Sequence, residues 1–430
     1  MFRRINIPMK LREMSRDALL QFYAETKAEY DACKAKGLKL DMSRGKPEKQ
    51  QLDLSNALFS LPTPDTYMCD GIDARNYGTM DGLPACRALF ADILGVKPEQ
   101  VFAAGSASLT LMYGLISKAF THGLLHSEAP WSKLDKVKFL CPVPGYDRHF
   151  TICQSFGIEM LNVPMTEAGP DMDVVEEYVK DPAVKGIWCV PKYSNPEGII
   201  YSDATIARLA SLKPAASDFV IMWDNAYCVH EFSGEFVPFK EMLTECRNAG
   251  TPDMVFEFAS TSKITFPGAG VACFACSEAN MAYMKKLLNA ECISFDKVNQ
   301  LRHVQFLKDK AGVLALMKKH AAFMKPKFDA VIEALDSEIA PLGFATYHRP
   351  TGGYFVSLNT MEGCAKRTHQ LMKEAGVIMT GAGATFPYGK DPQDANLRIA
   401  PSYPPIAELR EAMYVLCVCL KLAAAEKLLG

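Results

Sequence analysis

The sequence predicts an α/β protein: a mainly parallel central sheet with helices on both faces, joined to a smaller α+β domain. Three observations carry this expectation. Six short apolar runs, VFAA (101–104), VKFLC (137–141), GIWCV (186–190), FVIMW (219–223), VFEFA (255–259) and VACFA (271–275), alternate with helix-like stretches. Near-continuous apolar strands need cover on both faces, which crossover helices supply. From about residue 303 the pattern changes to long helices, a strand pair around GGYFVSL and NLRIAPS, and a closing helix from Pro405 to Leu429. Finally, 430 residues exceed what one small core holds, so two or three domain-sized units are expected.

Residues 11–36 read as an amphipathic helix with Leu19, Leu20, Tyr23 and Lys27 spaced by helical turns. A turn-rich, extended segment runs from Asp41 to about Tyr77, and the alternating strands and helices come next. The expected division is a large domain over 61–300 and a small domain made of 1–60 together with 301–430. There is no internal repeat, low-complexity tract or flexible linker.

Composition narrows the function classes. A hydrophobic content of 49% with 22% charged residues is that of an ordinary soluble protein. The net charge of -2, with Lys and Arg interleaved among Asp and Glu, leaves no footprint for a nucleic-acid partner. MFRRINIPMKLREMSRD is basic but has no apolar run behind it, so no signal peptide is expected. AMYVLCVCL is broken by Lys421 and falls short of the roughly 20 residues a membrane span needs. A cytoplasmic protein with no membrane partner is the expectation. The 14 cysteines lie mostly in apolar runs, as with Cys141, Cys189 and Cys228, which suits buried thiols in a reducing compartment. Cys273 and Cys276 spell C-x-x-C inside a strand with no second pair at zinc spacing, so they read as core and no metal is expected.

In this architecture ligands gather at the carboxyl ends of the strands. After VFAA, Gly105-Ser106-Ala107-Ser108 opens a helix whose Met112, Leu115, Ile116, Ala119 and Phe120 form one apolar face. Free N–H groups at such a helix start can hold a phosphate, although a tight turn alone would look the same. After VKFLC, the loop Pro142-Val143-Pro144-Gly145 aims Tyr146 either into the crevice, to stack on a flat ligand, or onto the core. After GIWCV, Asn195 in a turn can donate its amide to a ring oxygen. FVIMW ends in Asp224, an acid costly to bury without a positive partner unless it merely caps the next segment of chain. VFEFA leads into Ser260-Thr261-Ser262-Lys263, where a desolvated lysine amine is nucleophilic. The same four letters fit a Ser-x-x-Lys acyl-transferase or hydrolase.

A phosphate cradle, a stacking ring, an amide, a carboxylate and an amine are the groups that pyridoxal 5'-phosphate needs. The lysine holds its aldehyde, the acid keeps its ring nitrogen protonated, and the helix start holds its phosphate. Arg398 adds a bidentate clamp for a substrate carboxylate, a role it owes to this company, since a lone arginine more often makes a surface or structural ion pair. The Ser260 reading lacks support elsewhere: Tyr193-Ser194-Asn195 precedes the serine and no Lys-Thr-Gly comes after it. A regulator with a non-catalytic domain of this type would need a DNA-binding module, for which the residues before SRGKP offer little room or charge.

From SRGKP at 43 to LRIAP at 397 the chain resembles the fold-type I pyridoxal-phosphate aminotransferases of class I/II. SRGKPEKQQLDLS, NYGTMDGLPACR, PVPGYDRHF, YSNPEG and KVNQLRH are similar to the type Ic aspartate aminotransferase subgroup. The resemblance implies the fold-type I architecture and an amino transfer between an L-amino acid, aspartate or glutamate, and a 2-oxo acid. Lyases and decarboxylases share most of the constellation. Lys263 matches the family's imine lysine and proton shuttle, Asp224 its ring-nitrogen partner, and Tyr227 with Asn195 its ring-oxygen pair. Tyr146 takes the stacking position, Ser106, Ala107 and Ser108 the phosphate turn, and Ser260 a phosphate contact. Gly45, Asn195 and Arg398 match substrate-side positions. Tyr77 resembles a tyrosine that reaches the neighbouring subunit's phosphate site, so a homodimer with shared sites is implied. One departure stands out: the family's phosphate-binding arginine, eight residues past the lysine, is Val271 here. A compensating cation is expected, from Lys297 or Arg302. A dicarboxylate needs one more, from Arg44, Lys46, Arg148 or Arg302.

Overall fold

A computed structural model describes residues 10–430. The first nine residues, part of the leader reading and of the expected small domain, lie outside that span. Its centre is an eight-stranded sheet of β1 (Val101–Ala103), β2 (Lys138–Val143), β3 (Glu159–Thr166), β4 (Gly169–Pro170), β5 (Val184–Cys189), β6 (Val220–Asp224), β7 (Val255–Ser260) and β8 (Ala272–Cys276). The spatial order is β1-β8-β7-β6-β5-β2-β3-β4. The run from β7 through β6, β5 and β2 to β3 is parallel, as expected. VACFA, however, forms β8 against the grain, antiparallel to both β7 and β1.

Two strands escape sequence reading. β3 has alternating burial over EMLNVPMT, one face open, so it lacks the continuous apolar signature of its neighbours. β4 is only two residues long. In the closing part, Val356–Asn359 (β10) and Asn396–Ile399 (β11) pair as the sequence indicates, and a third short strand, Thr346–Tyr347 (β9), joins them antiparallel.

Both faces of the central sheet are covered. One carries Met112, Ile116, Trp131, Phe139 and Trp188; the other carries Leu83, Phe90, Ile206, Trp223 and Met242. Cys273 belongs to the second layer and Cys276 to the first, because residues three apart on a strand face opposite ways. The two thiols therefore do not meet.

A further core joins α1 (Arg16–Ala35), α5 (Lys310–Glu338) and α6 (Ile406–Leu429) to the three-stranded sheet. Between them, in chain order, come α2 (Ser108–Thr121), α3 (Asp147–Ser155) and α4 (Lys297–Leu307). The buried face of α1 is Leu19, Phe22, Thr26, Tyr30 and Cys33. Leu20, expected on that face, is exposed, since it lies 100° from Leu19 on the helix and only one can point inward. In α6, Val415 to Ala425 is buried throughout, and Lys421 is retained by an ion pair to Glu338. Among the described residues no helix is long and apolar enough to cross a membrane.

Register places the site. Cys189 pairs with Trp223, and Asp224 with Phe258, so β5, β6 and β7 end side by side. Ala103 and Ala259 flank Cys273 from either side, which brings the end of β1 to the same level. The loops after these strands leave from one edge of the sheet. A parallel pair of Leu40–Asp41 with Val377–Ile378 brings the chain's early segment over that edge, and Thr380 Oγ1 donates to Ser43 O (2.6 Å).

Candidate active site

At this edge lies a cavity of about 430 Å3 lined by Tyr146, Asn195, Tyr227, Lys263, Arg398 and Gly45, all expected from the sequence. Asp147, Arg148, Phe355, Thr380, Ser43 and Arg44 complete the wall. Its size suits a small organic cofactor with a substrate. A different cavity, near His126 and Met254, is lined by none of these groups.

Lys263 sits in the turn after β7, its Nζ over the Tyr227 ring at 4.8 Å from the centroid and 5.9 Å from that of Tyr354. Burial lowers its pKa, with the nearby Asp224 charge opposing. The amine is therefore more readily neutral than a surface lysine. Ser260 Oγ is bonded to Ser262 Oγ (3.0 Å) rather than to Lys263, which removes the geometric basis for a Ser-Lys acyl-transfer pair.

Asp224 is 2% exposed at the tip of β6. Its Oδ2 meets His149 Nε2 at 3.1 Å, while Oδ1 is buried without a hydrogen-bond partner. His149, on α3, stacks on Trp188 with centroids 4.3 Å apart. The sequence reading missed His149; its position three residues past Tyr146, on the helix after the loop, was the available signal. Burial, with Asp224 and Asp147 nearby, pushes the Tyr146 phenol up to about 12, and burial raises Tyr227 further. Both stay protonated donors at neutral pH.

Arg398 on β11 is 7% exposed, its guanidinium over the Phe355 ring at 4.7 Å. Nη1 donates to Asp147 Oδ1 (2.9 Å) and Asn195 Oδ1 (3.2 Å), and Nη2 to Thr380 Oγ1 (3.4 Å), while Nε is buried with no partner. Asp147 supplies the counter-charge that a buried guanidinium needs, another role that residue type alone did not disclose. A Cβ on Gly45 would stand 2.5 Å from the Phe355 ring, so only glycine lets this segment approach the platform under Arg398.

Ser106, Ala107 and Ser108 do form the start of α2, with Ala107 at the N-cap and no side-chain cap on the helix. They do not line the cavity itself. Ser106 adjoins Ser262 across Gly270, where an added Cβ would meet Ser106 O at 2.8 Å and Ser262 Oγ at 3.4 Å. Val271 is buried in the core, its N–H held by Thr261 Oγ1 (2.9 Å). Neither expected substitute cation lines the cavity, and each makes main-chain bonds. Lys297 Nζ donates to Asn76 O (2.6 Å) and Gly78 O (2.8 Å), and Arg302 Nε to Leu61 O (2.8 Å). Tyr77 is 80% exposed and outside this chain's cavity.

Pyridoxal phosphate fits these residues. Asp224 Oδ1 is a buried acceptor lacking a donor, Lys263 an amine biased to neutrality, and the uncapped start of α2 an anion site. The orphan Nε of Arg398 fits a carboxylate. Fold and site together define a fold-type I aminotransferase.

The aspartate amino-transferase family profile matches residues 14–430. An aspartate aminotransferase of Corynebacterium glutamicum is 46% identical over 419 residues, 97% of each chain. The crystal structure of an aspartate transaminase from Corynebacterium glutamicum superposes with a TM-score of 0.96 at 45% identity, covering 98% of this chain and 100% of that one. At 23% identity, an α-aminoadipate aminotransferase of Thermus thermophilus, complexed with N-(5'-phosphopyridoxyl)-L-leucine, shares the fold with a TM-score of 0.71 over 90% of this chain and 93% of its own. The chain belongs to the aspartate aminotransferase family, enzymes that move an amino group between an amino acid and a 2-oxo acid.

Proposed function

We propose that the enzyme uses pyridoxal 5'-phosphate to transfer the amino group of aspartate or glutamate to a 2-oxo acid. The observation that carries the reading is the pairing of a desolvated Lys263 amine with the buried, half-satisfied Asp224 carboxylate at one strand edge. The relative named aspartate aminotransferase supports the substrate class.

When bound, the cofactor supplies an aldehyde and an electron-withdrawing protonated ring. Asp224, oriented by His149, holds that ring proton, and Tyr227 with Asn195 holds the ring oxygen. Tyr146 stacks on the ring, while Ser106, Ala107, Ser108 and Ser260 hold the phosphate. Arg398 takes the α-carboxylate through Nε and Nη2, beside the backbone of Gly45. Lys263 Nζ would serve as the general base for the substrate's α-proton and then as the general acid that gives the proton back. Of the four cations considered for a distal carboxylate, Arg44 and Arg148 line the cavity. Lys46 Nζ instead lies over the Tyr403 ring at 3.7 Å, and Arg302 is bonded to Leu61.

We also propose the division into a cofactor domain, 61–300, and a substrate-side domain of 1–60 with 301–430, which the separate cores support. The assembly is a homodimer in which Tyr77 completes the partner's phosphate site. The compartment is the cytoplasm, in keeping with unpaired, mostly buried cysteines. The test is a panel of amino donors against 2-oxoglutarate, following the visible band of the purified enzyme. Bleaching by aspartate and glutamate is expected; bleaching only by apolar donors would overturn the substrate class.

A further inference from the structure

We propose that Lys297 is a positioning residue that sets the reach of Tyr77 by gripping the main chain on both sides of it. This rests on the proposed role of Tyr77 at a phosphate site. The side chain of Lys297 is 3% exposed, and among the described residues it makes no ion pair. Its Nζ donates instead to Asn76 O at 2.6 Å and Gly78 O at 2.8 Å, the carbonyls flanking residue 77. A buried ammonium is expensive to desolvate, and two short carbonyl bonds are what hold it there. The grip therefore acts both ways: the loop solvates the cation, and the cation fixes the loop. Tyr77 itself is 80% exposed, so no packing of its ring within the chain explains its direction.

The first turns of α4 extend the same anchorage. Gln300 accepts from Leu83 N–H (2.8 Å) and donates to Ala103 O (3.2 Å), tying the far end of the loop to the strand that leads into Ser106. Asn299 Nδ2 donates to Ala269 O (3.1 Å) and Gly270 O (2.9 Å), and the Gly270 backbone adjoins Ser106. One helix thus holds the Tyr77 loop, the end of β1 and the segment after Lys263 in a common frame. Lys297 is the member whose bonds reach only the loop, so its removal isolates the positioning effect.

The experiment is a pair of measurements on Lys297→Met, Tyr77→Phe and the double variant. In coenzyme-free protein, amide hydrogen exchange at residues 74–80 is expected to quicken at least about tenfold in Lys297→Met, while exchange in β6 and β7 stays unchanged. In titrations with pyridoxal phosphate, each single variant is expected to weaken binding about tenfold, and the double variant no more than the weaker single one. Unchanged exchange at 74–80, or losses that multiply in the double variant, would overturn the proposal. A wild-type protein that fails to bind pyridoxal phosphate would refute the functional reading instead, and the exchange measurement would still decide the grip. If Lys297→Met does not fold, Lys297→Gln, neutral but still a donor, is expected to show the same direction in both readings at smaller size.

Discussion

Asp224 and Arg398 each leave one buried polar atom unpartnered, and Lys263 is a desolvated amine; each condition predicts a phenotype. Burial lowers the Lys263 pKa, so the folded chain binds that proton less tightly than the unfolded one. Between the lowered value and the ordinary one near 10.4 the unfolded state carries more protons, and stability rises with pH through that window. In coenzyme-free protein, Lys263→Met is therefore expected to raise the melting temperature at neutral pH, with the gain shrinking toward pH 10. In the loaded enzyme, Lys263→Ala is expected to abolish both turnover and the visible band, whereas Ser260→Ala keeps most activity. Asp224→Asn is expected to lower turnover severely, and undiminished turnover there would show the acid to be structural. Arg398→Lys loses a planar pair of charge-assisted bonds, worth about 1.5–3 kcal/mol, and should raise KM for the amino donor by roughly ten- to a hundredfold. Lys263, Asp224 and Arg398 were legible because each charged side chain ends or occupies an apolar strand. His149 and Asp147 were not, because their roles are contacts made across the fold to Asp224 and Arg398.

At the scale of elements, burial patterns decide what can be read and what can be improved. β6 and β7 announce themselves as apolar runs, while β3, with one open face, does not. Within β7, Glu257 is 1% exposed, and burial next to Glu241 raises its pKa. A raised carboxyl pKa means the folded state holds the proton longer, so its contribution falls as pH rises above the ordinary value near 4.3. Glu257→Gln is expected to stabilise the protein at neutral pH by about 1–3 kcal/mol, read as a higher denaturation midpoint. The loop after β5 has the same sign of pH dependence, here from a favourable pair. His348 Nε2 meets Glu197 Oε2 at 2.7 Å, and that bond raises the histidine pKa. Its stabilisation is full below about 6.5 and fades as pH rises through the raised value, a dependence that His348→Gln should remove from a pH series of melting temperatures. At Gly45, alanine would collide with Phe355; a cost of about 1–3 kcal/mol in stability and a higher KM are expected from the displaced platform.

For the whole molecule, the alternation of strands and helices disclosed the central sheet, because parallel strands must be apolar throughout. The reversed direction of β8 was not legible: VACFA has the same apolar signature whichever way it runs, and only its pairing with β7 and β1 fixes the sense. Nor could spacing reveal that Lys297 would turn its ammonium, and Arg302 its Nε, onto main-chain carbonyls. The proposed reach of the exposed Tyr77 into a partner's site would make association a property of the entire particle. Tyr77→Ala is expected to leave the sedimentation coefficient of a dimer unchanged while weakening coenzyme retention; a monomeric wild type at micromolar concentration would contradict shared sites.

The two-residue parallel pair of 40–41 with 377–378 has a consequence for synthesis. The wall proposed to take a substrate carboxylate is hung from both extremities of the chain, with Gly45 near one and Arg398 near the other, whereas Lys263 and Asp224 belong to the middle. During synthesis, residues 263 and 224 therefore emerge well before the segment carrying Arg398 that would let a substrate dock.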